Sequence, residues 1–99
     1  MATLHIEHAV TDFGTWSAAF SRFAGARHQA GVRHQRVQRP AGDPHYVVID
    51  LDFDTTGEAA GFLSFLQAKV WTSSASSPAL IGTPQTMILE LAEPVSSPG

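Results

Sequence analysis

The chain has no cysteine, no asparagine, a single lysine and a single tyrosine among its 99 residues. Without cysteine, a disulfide scaffold, a thiolate metal site and a cysteine nucleophile are all excluded. Any metal would have to be held by histidine and carboxylates. No apolar run approaches the ~20 residues that span a bilayer, and the first residues show no basic region leading into an apolar stretch. The expectation is therefore a cytoplasmic protein that makes no membrane contact. Charge is scarce as well, with 15% charged residues against 43% hydrophobic and a formal net charge of -3. That is too little charge for a fully solvated surface, which implies a face that something covers. A chain of this length forms one domain and buries only roughly two-thirds of the surface it exposes when unfolded, so self-association would add burial. No glycine-rich phosphate loop or nucleophile elbow is present, since Gly57 and Gly61 enclose Glu58 and no lysine.

What is present is a regular alternation of elements. In TLHIEHAV, residues 3 to 10, Leu4, Ile6, His8 and Val10 point one way and Thr3, His5, Glu7 and Ala9 the other, the pattern of a half-buried strand. Thr11 or Asp12 can cap a helix over about 12 to 29, where Phe13, Trp16, Phe20 and Phe23 recur at helical spacing and Gly31 closes the end behind Arg27 and His28. Residues 32 to 39 read as a weaker strand and PAGDP, 40 to 44, as a turn. HYVVIDLDF, 45 to 53, is the strongest strand, with Val47, Ile49, Leu51 and Phe53 on one face and Tyr46, Val48, Asp50 and Asp52 on the other.

Thr55 or Thr56 can cap a second helix reaching about Val70, with Glu58 in its first turn and Ala59, Phe62, Phe65, Leu66 and Val70 on its buried side. WTSSASSPALIGTP breaks every period and reads as a lid or a frayed loop with a short helical turn. Residues 85 to 92 make the last strand, phased so that Thr86, Ile88 and Glu90 join His5 and Asp50. The order βαββαβ folds into an α+β, ferredoxin-like unit: a four-stranded antiparallel sheet with strands one and three central and two helices on one face. The domain spans 1 to 93, and 94 to 99 form a disordered tail.

The segments HAVTDFGTWSAAFSRF, RHQAGVRHQRV and YVVIDLDFDTTGEAAGFL, with VW before a serine-rich loop, resemble the dimeric α/β-barrel superfamily over roughly residues 3 to 92. Antibiotic-biosynthesis monooxygenases, haem-degrading monooxygenases and polyketide-cyclase-like proteins belong to it, and Asp12-Phe13-Gly14-Thr15-Trp16 matches a D-[FY]-x-x-W pattern seen among its small members. The resemblance implies a homodimer with two sheets packed face to face and a ligand cavity between sheet and helices in each subunit. It does not assign a reaction, because such folds host unrelated activities. The haem-degrading branch uses an Asn, a Trp and a haem-ligating His on or after the second helix. This chain has no Asn and no His beyond His45, and Trp71 alone matches.

His5 and His8 are three apart on a strand, face opposite ways and cannot chelate together. His5 and Glu7 share a face with Asp50 and, in the phase above, Glu90; polar packing at a dimer interface is preferred there over weak metal binding, and no metal is assigned. His8 faces the expected cavity and is the candidate catalytic group, a base or hydrogen-bonding partner near neutral pH, set against a histidine merely satisfied by backbone at a strand end. Trp16, Phe20, Tyr46 and Trp71 are the candidate ligand-binding walls, although an aromatic stripe is more often core.

Five of the six cationic residues fall between Arg22 and Arg39. Helix-end charge at Arg27 and edge-strand protection at Arg33, Arg36 and Arg39 are preferred there to an anion site. The chain is net acidic, so no nucleic-acid partner is expected. The expected function is binding of a small apolar or aromatic molecule by a homodimer without a cofactor. The alternative is a cofactor-independent monooxygenase or cyclase acting on an aromatic polyketide-like substrate.

Overall fold

The computed structural model describes residues 1–94 and 96. Apart from Pro94 and Ser96, the tail expected over 94 to 99 lies outside them. Strands β1 (Ala2–Val10) and β3 (Tyr46–Phe53) show buried and half-buried residues in strict alternation. They pair antiparallel, with Leu4 opposite Leu51 and Ile6 opposite Ile49. Strand β2 (His34–Gln38) pairs with β3, β4 (Leu80–Glu90) pairs with β1, and the sheet order is β2-β3-β1-β4. The order places the two most apolar strands in the middle, where both neighbours satisfy their backbone groups and one face can be wholly covered. This is the ferredoxin-like α+β sheet expected from the sequence.

Helices α1 (Phe13–Arg22), α2 (Ala24–Ala30) and α3 (Thr56–Phe65) pack on one face of the sheet. Asp12 caps α1 by accepting from the Thr15 backbone N–H at 2.8 Å. Thr55 and Glu58 form a reciprocal capping box at the start of α3. Leu4, Val10, Val47, Leu51 and Phe53 are fully buried under these helices. Each large aliphatic or aromatic side chain removed from water in this way contributes roughly 1.5–3 kcal/mol.

Several expectations are corrected. The helix expected over 12 to 29 is broken at Phe23 into α1 and α2. The Phe20 carbonyl there accepts the Phe23 N–H at 3.2 Å and the Arg27 side chain at 2.6 Å. A side chain inserted into the helical ladder is a recognised cause of such a break. The second expected helix ends as an α-helix at Phe65 and continues through Leu66–Val70 as a π-helical turn.

The last strand begins at Leu80 and not at 85, and its phase is reversed. Thr86, Ile88 and Glu90 stand opposite Ile6, Leu4 and Ala2 on the helix-covered face, so Met87 and Leu89 take the open face with His5 and Thr3. Met87-Ile88-Leu89 is apolar without a break, so alternation does not select a phase and pairing with β1 does. A bulge accompanies the shift: Glu7 pairs with Gln85 but Ala9 with Ile81, leaving residues 82 to 84 opposite His8 alone. Gly82 supplies the positive φ of 72° there.

The segment expected as a lid or frayed loop is tied down. Ser77 donates its hydroxyl to the Ser73 and Val70 carbonyls, and the Thr11 N–H donates to the Ala79 carbonyl at 2.9 Å. At the end of α2, Gly31 takes φ 101° and closes a Schellman motif, with Val32 N–H donating to the Arg27 carbonyl and Gly31 N–H to that of His28. Among the described residues no helix is long and apolar enough to cross a membrane.

Candidate functional site

A cavity of about 70 Å³ lies between the sheet and the helices. Its floor is Ile6, His8, Ile49 and Leu51 of the central strands, and α1 contributes Trp16, Ala19 and Phe20 at helical spacing. Phe62, the π-helical turn and Trp71 close one side, and the Ser76–Leu80 segment closes another. The π-helical turn brings Leu66, Val70 and Trp71 to this wall, a position where such turns are often found at functional sites. Four of the five residues singled out from the sequence thus meet in one place: His8, Trp16, Phe20 and Trp71. Tyr46 does not line the cavity. It sits opposite Ala9 on the open face of the sheet, and its hydroxyl donates to Glu7 at 2.8 Å. Its place at a strand end suggested a pocket wall, but the alternation of β3 sends it to the other side.

His8 is only 6% exposed. Its Nδ1–H donates to the Ala9 carbonyl at 2.9 Å, because a carbonyl can only accept, and this fixes the tautomer. Nε2 accepts from no other described residue, so a neutral imidazole keeps a lone pair free in the cavity. Burial pushes its pKa below the ordinary histidine value, against a smaller upward effect of the bond to Ala9. The ring meets Trp16 edge-on at 6.3 Å, and Trp16 stacks on Phe20 at 4.8 Å.

Sequence reasoning passed over Arg27. Its place in the sequence implies a helix-end charge, and its Nη1 does donate to the carbonyl end of α1; yet the residue turns inward, is 6% exposed and lines the cavity. Its Nε donates to the Gln35 side chain at 2.9 Å, and its Cζ stands 3.7 Å from the Phe20 ring centroid. No carboxylate among the described residues pairs with it. The other arginines of the basic segment disperse: Arg33 pairs with Asp54 at 2.8 Å, Arg36 reaches Asp50 at 3.7 Å, and Arg39 stands over Phe13. The available signal was position, since Arg27 falls one helical turn after Phe23 on the apolar stripe.

The open face carries a separate polar group. His5 lies between two carboxylates, with Nδ1 2.7 Å from Asp50 and Nε2 2.8 Å from Glu7. These bonds raise its pKa, the one to Glu7 most, while His5 and then Tyr46 lower that of Glu7. Glu90 faces the other way and takes no part. Among the described residues no three His, Asp or Glu are grouped to hold a metal ion.

The two histidines have opposite linkage to pH. His5 binds its proton more tightly folded than unfolded, so its contribution is present below about pH 6.5 and is lost as pH rises through its folded pKa. His8 binds its proton less tightly folded, so stability is lost as pH falls below about 6.5. Removing His5 in a His5→Gln variant is expected to steepen the loss of thermal stability between pH 7 and pH 5.5 relative to wild type. Parallel Tm-against-pH curves for the two proteins would show that the His5 network carries no linkage.

The two-layer sheet-and-helix arrangement defines a ferredoxin-like fold with its cavity between layers. A candidate antibiotic biosynthesis monooxygenase from Deinococcus radiodurans shares it, with TM-score 0.73 and 16% identity over 100% of both chains. SnoaB, a cofactor-independent oxygenase from Streptomyces nogalater, is similar at TM-score 0.66 and 15% identity over 97% of each chain. A dimeric ferredoxin-like protein from an uncultured marine organism has TM-score 0.69 and 11% identity, covering 95% of this chain and 97% of that one. No protein-family model and no curated protein matches the chain. At these identities the likeness establishes the fold, which is that of the dimeric ferredoxin-like and antibiotic-monooxygenase-like proteins.

Proposed function

We propose that this protein is a homodimer that binds a small apolar or aromatic molecule between its sheet and helices. The observation that carries this reading is His8. A buried imidazole with one nitrogen committed to backbone and the other without a partner among the described residues is one of a few polar groups, with Arg27, Ser76 and Ser77, in a mainly apolar, aromatic-walled cavity, the usual composition of a small-molecule pocket. Trp16, Phe20 and Trp71 supply flat apolar walls. The volume bounds the ligand. About 70 Å³ is roughly half the ~150 Å³ of an apolar cavity that takes benzene, so even one ring or a short chain requires the walls to open to about twice the observed volume.

Dimerisation is supported by the open sheet face and by the neighbour described as dimeric. Ile81, Met87 and Leu89 are 47%, 59% and 40% exposed along β4, a concentration of apolar surface beside the His5 network.

A second reading is a cofactor-independent monooxygenase or cyclase, favoured by the free Nε2 of His8 and the likeness to SnoaB. In it, Nε2 takes a proton from an electron-rich hydroxyarene and the resulting anion reduces dioxygen. One oxygen atom then enters the substrate at a CH₂ carbon, making a carbonyl, and the other leaves as water with the two hydrogens. The cavity volume argues against a fused polycyclic substrate in the observed conformation.

The test is a thermal-shift screen of single-ring phenols, short aliphatic acids and flavonoids against wild type and His8→Ala, followed by oxygen consumption with each stabilising compound. Binding raises the midpoint by mass action. A shift of several degrees with a one-ring compound, at least halved in His8→Ala, is the expected result. No shift with any compound would remove the ligand-binding reading, and binding without oxygen uptake would remove the oxygenase one.

A further inference from the structure

We infer that the ligand of this cavity carries a carboxylate or similar anionic group, which Arg27 holds against the Phe20 side of the pocket. The inference rests on the ligand-binding reading above and narrows the class of molecule to a small apolar carboxylate. Four observations support it. Among the described residues the buried polar or charged ones are Arg27 and His8, and both line the same cavity. Its guanidinium has dipolar partners, the Phe20 carbonyl and the Gln35 amide oxygen, but no anionic one among the described residues.

Two of its five N–H donors are engaged by those partners, and Nη2 donates to no described residue. The neighbouring arginines, by contrast, are exposed, and Arg33 and Arg36 reach Asp54 and Asp50. Burying a cation without a counter-charge is expensive, and proteins normally pair such a group. Capping the negative end of α1 offsets part of that cost through the helix dipole. A bound carboxylate would supply the missing charge and accept from the free face of a planar donor shaped for it. Apart from His8, Ser76 and Ser77 the cavity's remaining walls are apolar or aromatic, so the rest of the molecule is a hydrocarbon tail or one ring.

The arrangement also divides labour within the pocket. Phe20 stacks on Trp16, which meets His8, so the aromatic row runs from the cation at one end to the imidazole at the other. A ligand anchored by its carboxylate at Arg27 lies along this row and brings its far end towards Nε2 of His8.

The experiment compares matched probes on the wild-type protein at pH 7, with tryptophan fluorescence as readout because both tryptophans line the cavity. Phenylacetate is set against phenylacetamide, and hexanoate against hexanamide, each pair differing in charge and hardly in shape. The carboxylate of at least one pair is expected to bind ten times more tightly than its amide or better, and Arg27→Met is expected to bring that ratio close to one while the amide still binds. Equal binding of acid and amide to wild type would overturn this inference and leave the pocket reading standing. Failure of all four probes to bind would overturn both. The wild-type ratio decides the matter even if Arg27→Met does not fold.

Discussion

Phe53→Ala is expected to destabilise the protein by about 3–5 kcal/mol, the cost of a large cavity in a packed core. Phe53 is fully buried at the end of β3 and meets Phe62 of α3 at 6.0 Å between ring centroids. It joins the sheet to the helix that forms one side of the cavity. For a chain near 100 residues each 1 kcal/mol moves the midpoint by about 4–8 °C, so a fall of at least roughly 12 °C is expected. Differential scanning calorimetry on both proteins measures it. A fall under about 4 °C would mean that the helices do not cover the sheet as described.

Leu89→Asp should dissociate the proposed dimer while leaving the subunit folded. Leu89 is on the open face next to Thr3, outside the core, so the fold has little to lose from its replacement. In an interface related by a two-fold axis the change is felt twice, and each buried carboxylate would lack a partner. At 1.4 kcal/mol per factor of ten, even a loss of about 2.8 kcal/mol weakens association a hundredfold. Sedimentation velocity at micromolar concentration should show a dimer for wild type and a monomer for the variant, with unchanged far-ultraviolet circular dichroism. A wild-type monomer, or a variant that remains dimeric, would reject the open face as the contact.

Most of the candidate site was within reach of sequence reasoning because three of its residues sit in strongly periodic elements. His8 follows from the alternation of β1, and Trp16 and Phe20 follow from the stripe on α1. Trp71 was picked out only as an aromatic beside an element end, and the same argument misplaced Tyr46, since an element end does not say which face a residue takes. Arg27 was harder. A cation one turn beyond an apolar stripe has the same sequence signature whether it snorkels to water or folds back into a cavity, and only the surrounding backbone distinguishes them.

The division has a physical basis. Local interactions are written in short windows: the alternation of β1 and β3 and the two helix starts each depend on residues two to four apart, and the sequence determined the alternation outright and each cap to within one residue, Thr11 or Asp12 and Thr55 or Thr56. The central position of β1 and β3 also followed from the βαββαβ order with right-handed crossovers. Tertiary structure decided whatever depends on partners distant in the chain. The phase and bulge of β4 arose from pairing with β1, because Met87-Ile88-Leu89 has no alternation to choose a face. The break at Phe23 arose with the Arg27 guanidinium entering the helical ladder, and the cavity itself is the space left where the α1 stripe, the π-helical turn and the Ser76–Leu80 segment meet the sheet. That space is set by how three separate elements pack, and no window of the sequence contains all three.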